Sequence, residues 1–152
     1  MIHLPEAFIS QTKSLLGLEE TEALIKALSE EAPTSIRVNP NKATAISGES
    51  VPWCETGYYL SERPSFTLDP LFHAGAYYVQ EASSMFLSQV IKALPEKPRR
   101  VLDLCAAPGG KSTLWRAELP EQTLLVANEP IHRRAMILAE NLAKWGHPDV
   151  HV

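Results

Sequence analysis

The residues with most chemistry in them stand close together: Asp103-Leu104-Cys105-Ala106-Ala107-Pro108-Gly109-Gly110-Lys111-Ser112, with Glu129 twenty positions after Gly109. Adjacent glycines permit backbone angles that a side chain forbids, and they let a ligand lie against the main chain. If a helix starts there, the N–H groups of its first turn have no partner within the helix and are free to donate. A carboxylate such as that of Glu129 can accept from two neighbouring hydroxyls, one on each oxygen. In open α/β sheets an acidic residue at about this distance from the glycine turn holds the hydroxyls of a ribose. Turn and carboxylate together describe a site for an adenosine-containing ligand. The competing reading is a tight turn that binds nothing, with Glu129 a surface residue at a strand end.

The glycine pattern narrows the ligand. The dinucleotide fingerprint G-x-G-x-x-G is absent, because the two glycines are neighbours. Gly110-Lys111-Ser112 matches the end of the phosphate loop G-x-x-x-x-G-K-[ST], but the first glycine of that pattern would fall on Cys105. S-adenosylmethionine carries adenosine without a pyrophosphate, so it needs a glycine turn and no phosphate cradle. It is the ligand that fits best.

These residues need elements to hold them. The apolar run Val101 to Leu104 ends in small residues, a proline and two glycines, which predicts strand, tight turn and helix N-terminus in succession. The spacing predicts a helix over about 111–118, a strand over Thr123–Ala127 and a second helix over about 131–145, with Ile131, Ala135, Leu138 and Leu142 on one face and Gly146 as its cap. A third strand begins at Asp149. Alternation of this kind predicts a parallel sheet with right-handed crossovers.

Upstream, Ala82, Met85, Phe86, Leu87, Val90 and Ile91 predict an apolar helix face over residues 81–94, ended by Pro95 and Pro98. In residues 33–80 the short apolar pieces Ile36–Val38, Val51–Trp53, Tyr58–Leu60 and Ala76–Val79 are broken by prolines and glycines, the pattern of a small irregular β-containing lobe. Residues 3–31 read as two short helices. Phe8, Leu15 and Leu16 share a face of the first, and Leu24, Ile25 and Leu28 a face of the second. The expected fold is therefore α/β: an incomplete, doubly wound, Rossmann-like sheet over residues 81–152, preceded by a small α+β N-terminal lobe over residues 1–80. The last strand has barely begun at Val152, so the chain is expected to be part of a longer protein. An unfinished sheet edge invites pairing with another copy.

Composition excludes several classes. Of 152 residues 45% are hydrophobic and 21% charged, ordinary proportions for a globular protein. No apolar run approaches the length that crosses a bilayer, and the N-terminus lacks the basic-then-apolar order of a secretory signal. Cys54 and Cys105 are too few for a disulfide framework, and no Cys/His cluster has metal spacing. A cytoplasmic protein without membrane or metal is expected. The net charge of −4 gives nucleic-acid binding no bulk support, although a local basic patch suffices for it. Arg37, between Ile36 and Val38 on a strand, is either a surface charge or a phosphate contact. Trp53, Tyr58, Tyr59, Phe66, Phe72, Tyr77 and Tyr78 either stack on unpaired bases or form the core of the small lobe.

The string from Asp103 to Ser112 resembles the cofactor motif of the Nol/Nop/Sun RNA (cytosine-C5)-methyltransferases. Ser35-Ile36-Arg37-Val38-Asn39-Pro40 is similar to a phrase in that family's N-terminal lobe, and Tyr78-Val79-Gln80-Glu81-Ala82-Ser83-Ser84 to the one preceding its catalytic sheet. Ala127-Asn128-Glu129 and Ala139-Glu140-Asn141 resemble its second strand end and following helix. The similarity runs from about residue 4 to the last, in the family's order. The resemblance implies that Cys105, Ala106, Ala107, Pro108, Gly109, Gly110 and Lys111 wrap the methionine part of S-adenosylmethionine and that Glu129 binds its ribose. Residues Gln80 to Ser83 either line the methionine end or cap and pack a helix.

That family's reaction needs a cysteine thiolate that attacks C6 of cytosine and makes C5 nucleophilic. In the family this cysteine and an Asp-Ala-Pro-Cys type motif come on later strands, and neither is found here. Cys105, in the turn, is expected to pack as a small hydrophobe, and Cys54 lies in a segment with no catalytic counterpart. The chain is thus expected to be the N-terminal portion of a methyltransferase acting on RNA, specifically rRNA. Its nucleophile is expected beyond Val152, leaving the chain inactive alone. The alternative is a non-catalytic RNA-binding or structural module derived from that family.

Overall fold

In a computed structural model of the protein the described residues are 3–42, 45–46 and 48–152. The first unit ends at Pro33 and holds two helices, α1 (Glu6–Leu16) and α2 (Leu18–Ser29), as the sequence predicts. Gly17 joins them at φ 85°, a left-handed angle suited to glycine, and its N–H closes α1 on the Lys13 carbonyl. Of the predicted apolar faces, Phe8, Leu15, Leu16 and Leu28 are exposed, Leu15 most of all at 74%, and Leu24 and Ile25 are half-buried, whereas Thr12 and Thr21 are buried. Each of these threonines returns its hydroxyl to the carbonyl four residues back, so it can be buried without an unpaired donor.

The second unit, Thr34–Val152, contains two sheets. The antiparallel one consists of β1 (Thr34–Val38), β2 (Glu49–Ser50), β3 (Gly57–Leu60) and β4 (Tyr77–Val79), in the order β2-β3-β1-β4. Ile36 lies opposite Tyr58 on one side and Val79 on the other. A 3-10 turn (Phe66–Leu68) and α3 (Pro70–His73) connect β3 to β4. The single helix predicted over 81–94 is two short ones, α4 (Ala82–Met85) and α5 (Leu87–Lys92), separated at Phe86. The break lets Ala82, Met85 and Ile91 reach the core while Phe86 and Val90 stay exposed.

The parallel sheet is β5 (Arg100–Asp103), β6 (Leu124–Ala127) and β7 (Val150–His151), in that order, with α6 (Gly110–Glu118) and α7 (His132–Trp145) in the crossovers. The predicted strand–helix alternation is present with its boundaries within about two residues. Gly146, at φ 79°, caps α7 as expected, its N–H on the Leu142 carbonyl. One apolar cluster joins Val51 and Cys54 with Ala82, Met85 and Ile91 and with Leu114 and Leu119 of α6 and the turn after it. A second packs Ala106 and Ala107 of the glycine turn against Ala127, Leu138 and Leu142.

Arg37 corrects the sequence reading. It is fully buried, neither a surface charge nor a phosphate contact. β1 is an interior strand, and Arg37 points from it toward α6, where its Nε donates to Gln80 Oε1 (2.8 Å) and its Nη2 to Thr113 Oγ1 (2.6 Å). Its guanidinium also lies 4.6 Å from the Trp145 ring centroid. Most of the aromatic residues follow the core reading: Phe66 and Tyr77 are buried, Tyr58 and Phe72 pack against their cluster and Trp53 and Tyr59 against the one around Met85, while Tyr78 is partly buried.

Candidate cofactor site

β5 delivers the glycine turn at its C-terminal end. Asp103 organises it from within: its main-chain carbonyl accepts from Asn128 N–H, Oδ1 accepts from Cys105 N–H (3.2 Å) and Oδ2 from the Ser112 hydroxyl (2.8 Å). One carboxylate thus ties the end of the strand to the first turn of α6. The Ala107–Pro108 peptide is cis. Gly109 N–H donates to the Ala106 carbonyl, and Gly109 itself sits at φ 114°, ψ 0° as the residue preceding α6. The first helical bond is Thr113 N–H to Gly109 carbonyl. The N–H groups of Gly110, Lys111 and Ser112 precede it and have no acceptor among the described residues.

The predicted residues differ in exposure. Ala106, Ala107 and Gly109 are buried, Gly110 is partly so, and Cys105, Pro108 and Lys111 are exposed. The expectation that Cys105 packs as a small hydrophobe is therefore corrected: the chain turns outward at Leu104 and Cys105, and Ala106 and Ala107 enter the core instead. Cys54 is the packed cysteine, 1% exposed.

Glu129 follows β6, whose Ala127 pairs with Asp103, so both predicted parts stand at the same end of the sheet. Its side chain is 3% exposed. Oε1 accepts from Ile131 N–H (3.0 Å), ahead of α7, and Oε2 is 3.4 Å from Arg134 Nη1. The other arm of Arg134, Nη2, donates to the Ala107 carbonyl (3.1 Å). One guanidinium therefore spans the glycine turn and Glu129. Asn141 Nδ2 donates to the Pro108 carbonyl (2.7 Å) and holds the turn from α7. Sequence reasoning missed Arg134 and Asn141. The available signal was position: Arg134 lies in the first turn of the helix that Glu129 precedes, and Asn141 two turns further along.

Gln80 belongs to the same assembly. It is buried, its Oε1 receives Arg37, and its amide is 3.3 Å from the Gly110 carbonyl. Tyr78 lies beside Gly110, where a Cβ would meet its ring at 3.3 Å. The residues before the parallel sheet thus touch the turn.

A parallel sheet with a glycine turn after its first strand, an acidic residue after its second and crossover helices between them defines a Rossmann-like α/β domain. Known proteins narrow this class. The family model for the N-terminal domain of 16S rRNA methyltransferase RsmF matches residues 4–82, and that for 16S rRNA methyltransferase RsmB/F matches residues 90–152. The chain belongs to this RsmF methyltransferase family. It is 31% identical to the ribosomal RNA small subunit methyltransferase F of Serratia proteamaculans, over 98% of this chain and 34% of that protein. For the enzyme of the same name from Aliivibrio fischeri the identity is 33%, over 98% of this chain and 35% of the relative. The chain spans about a third of the length of the curated relatives it matches. A methyltransferase homolog protein from Pyrococcus horikoshii superposes with a TM-score of 0.81 at 27% identity, covering 97% of this chain and 51% of that one. NSun6 from the same organism, solved with SFG, gives 0.76 at 16% identity over 96% and 64%, a likeness of fold.

Proposed function

We propose that this chain supplies the front of an S-adenosylmethionine site in an RNA (cytosine-C5)-methyltransferase acting on rRNA, with residues 1–80 as the N-terminal lobe and 81–152 as the cofactor-binding portion. The observation that carries the proposal is the shared frame of the glycine turn and Glu129, joined through Arg134 at one end of the parallel sheet. The donor set fits the cofactor. The unpaired N–H groups of Gly110 to Ser112 suit a carboxylate such as that of a methionine moiety. Oε1 of Glu129 keeps a lone pair beyond the bond from Ile131 N–H, and Oε2 makes only the 3.4 Å ion pair with Arg134, so both oxygens can receive ribose hydroxyls. When bound, the cofactor supplies a methyl group activated by its sulfonium.

The chain's own residues have limited roles. Cys105 to Lys111 bind and orient, Asp103 and Asn141 hold the turn's shape, and Arg134 holds Glu129. Neither cysteine is assigned as nucleophile: Cys54 is sealed in the core, and Cys105 stands in the turn that holds the cofactor. The 152-residue chain alone is accordingly inactive toward RNA. No helix among the described residues is long and apolar enough to cross a membrane. A cytoplasmic location agrees with an rRNA substrate.

Amide-resolved NMR titration of the chain with S-adenosylhomocysteine tests the assignment. Shifts should concentrate at Cys105–Lys111 and Glu129 and vanish in Glu129→Ala. Absence of any shift at millimolar ligand would overturn it.

A further inference from the structure

Beside the glycine turn, between α7 and the antiparallel sheet with its connection, lies a cavity of about 330 Å³ open to solvent. Phe72, Tyr77 and Tyr78 come from the antiparallel sheet and its connection, Trp145 and Lys144 from α7, and Arg63 from the loop after β3. Phe66, Phe72 and Tyr77 form a triad with ring centroids 6.0–6.4 Å apart and planes inclined by 41–60°. Inclined rings at this spacing pack against one another, so a guest meets only the ring surface turned toward the cavity. Phe72 and Tyr78 are only partly buried and offer ring surface. The charged lining residues are both cations, Arg63 and Lys144, each placed over a ring, at 5.6 Å from Phe66 and 5.8 Å from Phe72. Lys144 pairs with Glu140, a largely exposed partner that a phosphate can replace. Trp145, itself 2% exposed, leaves its indole N–H without an acceptor among the described residues.

Aromatic faces with cations at the rim are how proteins take an unpaired base and its flanking phosphates: the rings stack and the cations meet the backbone. The volume suits one base with part of its sugar. We infer that this cavity is a docking site for a single unpaired nucleotide of the RNA substrate, separate from the cofactor turn that it adjoins through Tyr78 and Asn141. The inference rests on the RNA-methyltransferase reading above. The nucleotide held here is a neighbour that positions the strand, and no reaction takes place on it.

The test is fluorescence anisotropy of a short labelled single-stranded RNA titrated with the whole chain at low salt. Binding should weaken with salt, and a duplex of the same sequence should bind more weakly. Phe72→Ala should weaken binding roughly 5- to 100-fold, the effect of losing one stacking platform. Arg63→Glu, at an exposed position that leaves the fold intact, should weaken binding and reduce the salt slope by about one. Equal affinity of both variants and wild type, equal affinity for duplex, or no binding of the single strand each overturns the site. S-adenosylhomocysteine shifts measured on the same samples separate the two ideas. Shifts without pocket-dependent RNA binding sink this inference alone, whereas pocket-dependent RNA binding without shifts sinks the cofactor assignment alone.

Discussion

Arg37 carries a charge into the core and finds only neutral acceptors there. Burial pushes its guanidinium down to about 10, which leaves it protonated at neutral pH. Gln80, Thr113, the Gly110 carbonyl and the Trp145 ring compensate the lost water. It thereby connects β1 to the helix that follows the glycine turn, and through Gln80 to the turn itself. Removing the guanidinium would leave the Gln80 oxygen short of a donor in a buried site. Arg37→Met, which keeps the stem, should cost about 1–3 kcal/mol, the size expected for leaving neutral buried acceptors without a donor. Arg37→Lys should recover only part, because an ammonium lacks the planar fork. Urea unfolding curves check this, and a loss under about 1 kcal/mol would show that the network is dispensable. The residue was named at the sequence level but misplaced. Strand alternation says which side Arg37 faces, yet what covers that side comes from residues 73 and 76 positions away in the chain.

At the scale of elements, the strand–turn–helix around Gly109 was legible because every signal for it is local. An apolar run, a proline, paired glycines and a helical periodicity sit within about twenty residues. The same was true of α7 and its Gly146 cap. What stayed hidden was the link between the turn and Glu129, because it runs through Arg134, whose pairing follows from the pitch of α7 and the parallel register of β5 and β6. Gly109 shows what the turn requires. A Cβ built there would meet Leu138 and Asn141 at 3.4 and 3.5 Å, ordinary contact distances, so crowding is not the issue. The constraint is φ 114°, which an L side chain rarely adopts. Gly109→Ala should therefore destabilise the chain by about 1–2 kcal/mol through backbone strain and shift the N–H groups of α6. Thermal melts give the stability loss, and the S-adenosylhomocysteine titration gives the loss of binding. A variant as stable as wild type would mean that the turn relaxes to a negative φ at no cost.

For the molecule as a whole, the described residues cover the parallel sheet on one face only. Along β5 and β6 the side chains alternate, and Val101, Leu125 and Ala127 pack inward. On the other face Leu102 is 59% exposed, Leu104 63% and Val126 37%. Parallel sheets are normally buried on both faces, so a bare leucine and valine row is an adhesive surface. The strand order β5-β6-β7 runs in one direction, and among the described residues nothing pairs with the outer edge of β5. Bare face and open edge adjoin each other, so one contact between two copies can cover both. The isolated chain should therefore self-associate. Light scattering should give an apparent mass that rises with concentration, and Leu102→Glu, which places a charge in the middle of the bare face and touches no core position, should return it toward the monomer. A mass that stays monomeric across the concentration series would mean that three exposed apolar side chains and a free edge are too little surface to hold two copies together. If association persists unchanged in Leu102→Glu, the contact lies elsewhere, and the exposed Leu15 and Leu16 at the end of α1 become the next place to put the charge.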